Sequence, residues 1–208
     1  MFALIRIYLV QLEHLAAADL LQFEADLTSD ERTRFRRFRR SSRAHQFLVG
    51  RRLLRTVLGS YLRLEPRSVP LKERPGDSPL LLDSFDQRES NKQTSFSLSH
   101  SGTWVACAIC EDAKLGLDIE VFDSSRDVKA LARHAFSADV ATQIEALPIP
   151  DCTDLFYQCW TALEAGIKLN DKVTQSLYFR HADLAITICS DRPFHTPVEL
   201  IDARTLLK

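Results

Sequence analysis

The sequence contains no apolar run approaching the ~18 residues that cross a bilayer, so no membrane role is expected. Met1 to Val10 is apolar but carries Arg6 within it, and it lacks the arrangement of a signal peptide. It reads as an opening strand. Cysteine is sparse, five residues without framework spacing, which excludes a disulfide scaffold and fits a reducing compartment; a cytoplasmic location is expected. Cys107 and Cys110 form a C-x-x-C, but they lie in a strand pattern, where residues three apart face opposite sides. They read as core, not as metal ligands. The aromatic–glycine stacking motifs of single-strand nucleic-acid binders are missing as well.

The chain is long enough, at 208 residues, for one large domain or two small ones. With 45% hydrophobic and 26% charged residues it matches a soluble globular protein. Net charge is only −1, yet its distribution is uneven. Residues 1–104 carry 17 Lys/Arg against 12 Asp/Glu, and 105–208 carry 10 against 16. A basic half beside an acidic half suits a site with an anion on one wall and a cation on the other.

In chain order, Leu12 to Leu27 has the spacing of a short helix, and Thr28-Ser29-Asp30-Glu31 supplies a helix start. Ten arginines crowd the 24 residues from Arg32 to Arg55, interleaved with apolar positions; the spacing predicts two helices broken near Ser41-Ser42. Such a run is a solvated face, a nucleic-acid footprint or a clamp for one small polyphosphate, whose oxygens match guanidinium forks. Leu64 to Ser90 is loop-rich, punctuated by Pro66, Pro70, Pro75, Gly76 and Pro79. Phe96–Ser101 and Trp104–Cys110 predict a hairpin with Gly102 at the bend. Ala130 to Leu147 reads as one helix, and Asp151 to Leu169 as another in which Trp160 is a core anchor. Leu177–Arg180, Ala185–Cys189 and Val198–Ile201 read as strands.

Three stretches carry chemistry. In Leu115-Gly116-Leu117-Asp118-Ile119-Glu120 the alternation is that of a half-buried strand, so Asp118 and Glu120 share a face about 6.5–7 Å apart while Leu117, Ile119 and Val121 enter a core. Two carboxylates so close repel unless a cation sits between them; a solvated strand face is the ordinary alternative. In Trp160-Thr-Ala-Leu-Glu164-Ala-Gly-Ile-Lys168, Glu164 and Lys168 are four apart and share a helix face, which alone is most often a surface ion pair. Phe96-Ser97-Leu98-Ser99-His100-Ser101-Gly102 is a short alternating strand ending in hydroxyl residues and a histidine.

Together, the Ser-His-Ser, Gly-x-Asp-x-Glu and Trp-x-x-x-Glu-x-x-x-Lys motifs, in this order, resemble those of the Sfp-like 4′-phosphopantetheinyl transferases, over about Ser29 to Lys168. The resemblance implies an α+β fold, a pseudo-dimer of two similar halves, each a small mostly antiparallel sheet packed with helices, with the active site in the cleft between them. We expect residues 1–104 to form the basic, coenzyme A-binding half and 105–208 the acidic, catalytic one. It implies transfer of 4′-phosphopantetheine from coenzyme A to a serine of an apo acyl or peptidyl carrier protein, with Mg²⁺ as cofactor. Asp118, Glu120 and Glu164 become the metal ligands. Glu164 and Lys168 become the catalytic pair, Glu164 as metal ligand, general base or both, and Lys168 as a stabiliser of phosphoryl charge or of the leaving oxygen. Arg51, with Arg32 and Arg34, is expected to hold coenzyme A, and Ser99 and His100 its ribose 3′-phosphate. The remaining arginines are left as a solvated face. The other partners expected follow: no nucleic acid, no membrane, and a monomer because the halves are pseudo-symmetric.

The sequence also departs from the family. Where family members have a Gly-Lys-Pro that helps hold coenzyme A, this chain reads Gly76-Asp77-Ser78-Pro79, without the lysine. Where they have a glycine-containing loop after the last motif, it reads Asn170-Asp171-Lys172-Val173, and only about forty residues follow. The C-terminal half looks trimmed. These departures keep open a coenzyme A- or anion-binding protein of the same fold without catalysis; a nucleic-acid module using the arginine run is a further alternative.

Overall fold

A computed structural model describes residues 3–74, 78–82 and 94–208; Gly76 and Asp77, and the stretch from 83 to Ser90 of the loop-rich segment, lie outside them. The opening strand is β1, Ile5–Gln11. A 3-10 turn (Leu12–His14) and α1 (Ala17–Ala25) follow, then α2 (Ser29–Phe35) and α3 (Ser41–Leu62), which begins at the expected serine break. Thr28 starts α2 as its composition predicts. Its hydroxyl accepts from the Glu31 amide at 3.3 Å, and its own amide donates to Glu31 Oε2 at 2.9 Å, a reciprocal cap that stabilises the helix by about 1 kcal/mol. The other oxygen of the buried Glu31 accepts from Arg55 Nε at 2.9 Å, which ties α2 to α3.

Two short strands, β2 (Leu71–Lys72) and β3 (Leu80–Leu81), pair with each other. The hairpin β4 (Thr94–Ser101) and β5 (Trp104–Glu111) turns at Gly102, whose φ of +55° favours glycine. Then come β6 (Leu115–Val121), α4 (Val128–Ala135), α5 (Ala138–Ala146), α6 (Asp151–Leu169), β7 (Gln175–His181), β8 (Leu184–Ser190) and β9 (Glu199–Asp202). The single helix expected over Ala130 to Leu147 is two. Phe136 adopts an extended backbone and its ring packs edge-on against Phe156 with centroids 5.7 Å apart. Burial of that ring outweighs helix continuity.

The sheets run β4-β5-β1-β9 and β6-β8-β7, antiparallel except for the β1–β9 pair. Each half repeats one plan: a first strand (β1, β6), helices, then a hairpin whose second strand (β5, β8) pairs with the first. The α+β architecture of two similar halves is therefore present. The division expected at 104/105 falls within the β4–β5 hairpin, and pairing keeps residues 105–111 in the first sheet, to which β9 also returns. One core lies between the sheets, with Ile5, Ile7, Ala108, Leu117, Ile119 and Ile186. A second lies between the first sheet and α3, with Cys107, Ile109, Leu53 and Leu58. Because β5 is buried on both faces it reads as a continuous apolar run, and Cys107 and Cys110 fall into different cores as the strand period requires.

Where the sheets meet, β4 and β6 are neighbours but share no main-chain ladder. Instead the hydroxyls of Ser95, Ser97, Ser99 and Ser101, every second residue of β4, accept from the amides of Leu115, Leu117, Ile119 and Val121 at 3.3, 3.0, 3.2 and 3.0 Å. The intervening Phe96 and Leu98 turn to the α3 core. On the other side of β6, α6 lies directly on Gly116. A methyl group added there would sit 2.0 Å from the Ala165 carbonyl oxygen and 2.5 Å from the Leu169 nitrogen.

That contact is with backbone and cannot be relieved by a rotamer change. Gly116→Ala is therefore expected to lower stability by about 3 kcal/mol, read from the denaturant midpoint, and to shift α6 away from β6. Gly50→Ala in α3 meets only Val105 Cγ1 at 3.8 Å and should be neutral or stabilising by about 0.5–1 kcal/mol through helix propensity. Equal midpoints for the two variants would remove the close approach as a constraint.

Candidate active site

A cleft of about 680 Å³ opens between the halves, within the range of pockets that take small ligands. Each wall follows from local sequence. On α6, Trp160, Glu164 and Lys168 recur every four residues and so share one face. On β6, Asp118 and Glu120 point away from the core that holds Leu117 and Ile119. Ser99 and His100 end β4, and α3 offers Arg43, Phe47 and Arg51 along one stripe. Of the site residues expected from sequence, Arg34, Arg51, Ser99, His100, Asp118, Glu120, Glu164 and Lys168 line this one cleft. Arg32 does not; its Nη2 donates to the carbonyls of Ala25 and Leu27 at 3.3 and 3.4 Å and closes the α1–α2 turn.

At the floor, Asp118 Oδ1 accepts from Lys168 Nζ at 2.7 Å and from Ser99 Oγ at 2.9 Å. Its Oδ2 is buried with no hydrogen-bond partner among the described residues. Burial drives the carboxyl up to about 6 despite the opposing pull of Lys168 and Ser99. Ser99 Oγ also accepts from Lys168 at 3.0 Å and from the Ile119 amide, so one donor and two acceptor positions are all taken. Glu120 is held by neutral donors, Ser101 Oγ at 2.6 Å on Oε2 and Trp160 Nε1 at 3.4 Å on Oε1. Trp160, expected as a core anchor, thus stacks nearly parallel on Phe156 and reaches the cleft with its indole nitrogen. Glu164 is half-buried on the facing wall. Among the described residues no three His, Cys, Asp or Glu side chains close around a common point.

The opposite wall is cationic but not unopposed. Arg51 is 4% exposed, and its Nε and Nη2 fork onto Glu73 at 2.8 and 3.0 Å. Arg34 Nη1 reaches the same carboxylate at 2.9 Å, and the two guanidinium groups flank the Phe47 ring at 4.8 and 5.4 Å. Burial lowers the pKa of Arg51; burial would raise Glu73, but the two arginines outweigh it and hold it below the usual carboxylate value. Within the run assigned to a solvated face, Arg52 and Arg55 also turn inward, onto Asp26 and Glu31.

Sequence reasoning passed over Arg43, Glu73 and Ser101. Arg43 Nη1 lies 3.0 Å from His100 Nδ1. Guanidinium only donates, so Nδ1 accepts and a neutral ring carries its proton on Nε2. The cleft walls desolvate this imidazole, and Arg43 and Lys168 repel added charge, so its pKa is below the ordinary histidine value although the ring faces the open cleft. The i, i+4, i+8 spacing of Arg43, Phe47 and Arg51 was the available signal for Arg43. Glu73 lies in the proline-punctuated segment and had none.

Residues 16–112 match the family model described as 4′-phosphopantetheinyl transferase, N-terminal, and residues 114–196 match the 4′-phosphopantetheinyl transferase superfamily. Over 151 residues the chain is 31% identical to the 4′-phosphopantetheinyl transferase HetI of Nostoc sp., covering 73% of this chain and 62% of the relative. It is 29% identical over 150 residues to a putative 4′-phosphopantetheinyl transferase of Synechocystis sp., covering 72% and 59%. Against the 4′-phosphopantetheinyl transferase Sfp of Bacillus subtilis the figures are 28% over 152 residues, covering 73% and 63%. The chain thus spans about three fifths of the length of these relatives.

The buried Asp118 gives a pH test. The folded protein holds its proton more tightly than the unfolded chain does. Its contribution to stability is therefore full below the ordinary aspartate range and is lost as pH rises through about 6. About 2 kcal/mol should disappear between pH 4 and pH 7 in chelator-containing buffer. The measurement is the pH dependence of unfolding free energy for wild type against Asp118→Asn, which lacks the titration. Parallel curves would show that burial does not hold the carboxyl neutral.

Proposed function

Because the chain belongs to the 4′-phosphopantetheinyl transferase superfamily, we propose that its cleft moves 4′-phosphopantetheine from coenzyme A to a serine hydroxyl of an apo acyl or peptidyl carrier protein. The observation that carries this reading is the juxtaposition of Asp118, Glu120, Glu164 and Lys168 on β6 and α6, across one cleft from Arg34, Arg43 and His100. An acidic floor facing a cationic wall suits a pyrophosphate bound with a cation.

The serine oxygen attacks the pyrophosphate phosphorus that bears the pantetheine. A bond from that oxygen to phosphorus forms, and the bond to adenosine 3′,5′-bisphosphate breaks. Glu164 takes the serine proton, directly or through a water, since it lies one helical turn from Lys168 on the same face. Lys168, whose side chain is 30% exposed, carries its ammonium to the phosphoryl oxygens as their charge grows. Arg43 and the Nε2–H of His100 meet the 3′-phosphate at the cleft mouth. Arg34 and Arg51 serve as the wall behind it, with Glu73 holding their forks in place.

Magnesium fits the donor chemistry. Asp118 Oδ2, without a hydrogen-bond partner among the described residues, is a hard oxygen donor in the same cleft as Glu120 and Glu164; the three do not close around one point in this structure, and they would hold the ion with substrate and water completing its shell. When bound it would neutralise the pyrophosphate oxygens. Cytoplasmic location and a monomeric state complete the proposal; no helix among the described residues is long and apolar enough to cross a membrane.

The test is incubation with coenzyme A, MgCl₂ and a panel of apo carrier proteins, read by intact mass. Addition of phosphopantetheine to at least one carrier is expected. Glu164→Gln and Lys168→Ala should each lower kcat by about 10²–10³-fold, with the coenzyme A dissociation constant, from calorimetry, within about fivefold of wild type. Coenzyme A binding without transfer to any carrier would make this a coenzyme-binding protein, and failure to bind coenzyme A would remove the whole reading.

A further inference from the structure

The serine ladder between β4 and β6 has two kinds of rung. Ser95 Oγ and Ser97 Oγ accept from the amides of Leu115 and Leu117. Ser99 and Ser101 do this for Ile119 and Val121 and also donate to a carboxylate, Asp118 Oδ1 at 2.9 Å and Glu120 Oε2 at 2.6 Å. In both cases the carboxylate belongs to the residue just before the amide. One hydroxyl therefore bridges the side chain of one residue and the backbone of the next, which locks the carboxylate to its strand. Asp118 has Lys168 as a second anchor. Glu120 has no ion pair among the described residues; beyond Ser101 it has the 3.4 Å contact from Trp160 Nε1.

We propose that Ser101 is a positioning residue that sets the orientation of the Glu120 carboxylate in the cleft, in addition to closing the seam between the halves. The two duties use different parts of one group: a lone pair takes the Val121 amide, and the proton goes to Glu120. With Glu120 oriented from β4, the first sheet fixes an acidic group of the second. A displacement of the seam would then be felt in the site directly. The catalytic consequence rests on the function proposed above, whereas the orientation itself does not.

The ladder contains its own control, because Ser95→Ala deletes the same amide contact without touching a carboxylate. The variants Ser95→Ala, Ser101→Ala and Ser101→Thr are compared with wild type by thermal unfolding, by the indole resonances in ¹H–¹⁵N spectra and by transfer kinetics. Both alanine variants should lower the melting temperature to a similar extent. The Trp160 indole N–H resonance should shift in Ser101→Ala, return toward wild type in Ser101→Thr and stay unmoved in Ser95→Ala. Trp104, whose indole donates to Asp183 Oδ1 at 2.8 Å, should stay in place throughout. Ser101→Ala should lower kcat by about 10–100-fold, the usual effect of losing a group that orients a ligand, with KM for coenzyme A within about twofold; threonine should restore most of the rate. If Ser101→Ala does not fold, Ser101→Cys, a poorer donor of similar size, supplies the same indole comparison. A Trp160 resonance that moves no further in the Ser101 variants than in Ser95→Ala overturns the proposal and leaves Ser101 as a seam residue. Wild type that transfers nothing rejects the function instead, while the indole comparison still decides the orientation.

Discussion

The edge of one sheet must meet the face of another without leaving amides unpaired. A buried amide without an acceptor costs about 1–3 kcal/mol, and four of them line the β4-facing edge of β6. Serine hydroxyls at alternate positions of β4 satisfy all four. A hydroxyl, unlike a main-chain carbonyl, brings its own proton. At Ser99 and Ser101 that proton goes to the carboxylates of β6, so joining the halves and building the acidic floor are one arrangement. On the far side of β6, Gly116 leaves no side chain where the backbone of α6 passes at Ala165 and Leu169. The strand is gripped from both sides, and the Glu164–Lys168 face is brought onto Asp118.

The charges follow the same economy of position. Asp118 is buried beneath Lys168, and its second oxygen has no partner among the described residues. Such a group is held partly protonated by desolvation until a cation stabilises its ionised form. The cationic wall is arranged in the reverse sense. Glu73 holds the forks of Arg34 and Arg51 around the Phe47 ring, so these arginines are oriented and partly neutralised, while Arg43 and His100 stand further out. Of the ten arginines between 32 and 55, Arg34, Arg51, Arg52 and Arg55 are taken up by carboxylates, whereas Arg36, Arg37, Arg39 and Arg40 remain exposed, so the run is divided between the interior and a solvated face.

The repeated plan of the halves explains why the cleft sits where it does. In each half the first strand pairs with the second strand of a hairpin, so the hairpin's first strand is left as an edge. In the first half that edge is β4, and β6 of the second half lies along it. The site is assembled at this junction from the last residues of β4 and the middle of β6, with α3 and α6 as flanks.

Much of this was legible in the chain. Alternation at Leu115–Val121 placed Asp118 and Glu120 on one face; fourfold spacing placed Trp160, Glu164 and Lys168 on another; Thr28 with Glu31 marked the start of α2. These are period and capping signals, set by covalent geometry within a few residues, and they survive any tertiary context. The break at Phe136, the inward turn of Arg51 and Arg55, the diversion of Arg32 to the α1–α2 turn and the role of Glu73 were not legible. Each depends on a partner 5 to 39 residues away in sequence, and no local pattern encodes which carbonyl, carboxylate or ring will be met. The serines of β4 stand between the two cases. Their alternation is plain in the sequence, but that their hydroxyls would replace a main-chain ladder was decided only when the edge of β6 met the face of β4 with amides to satisfy.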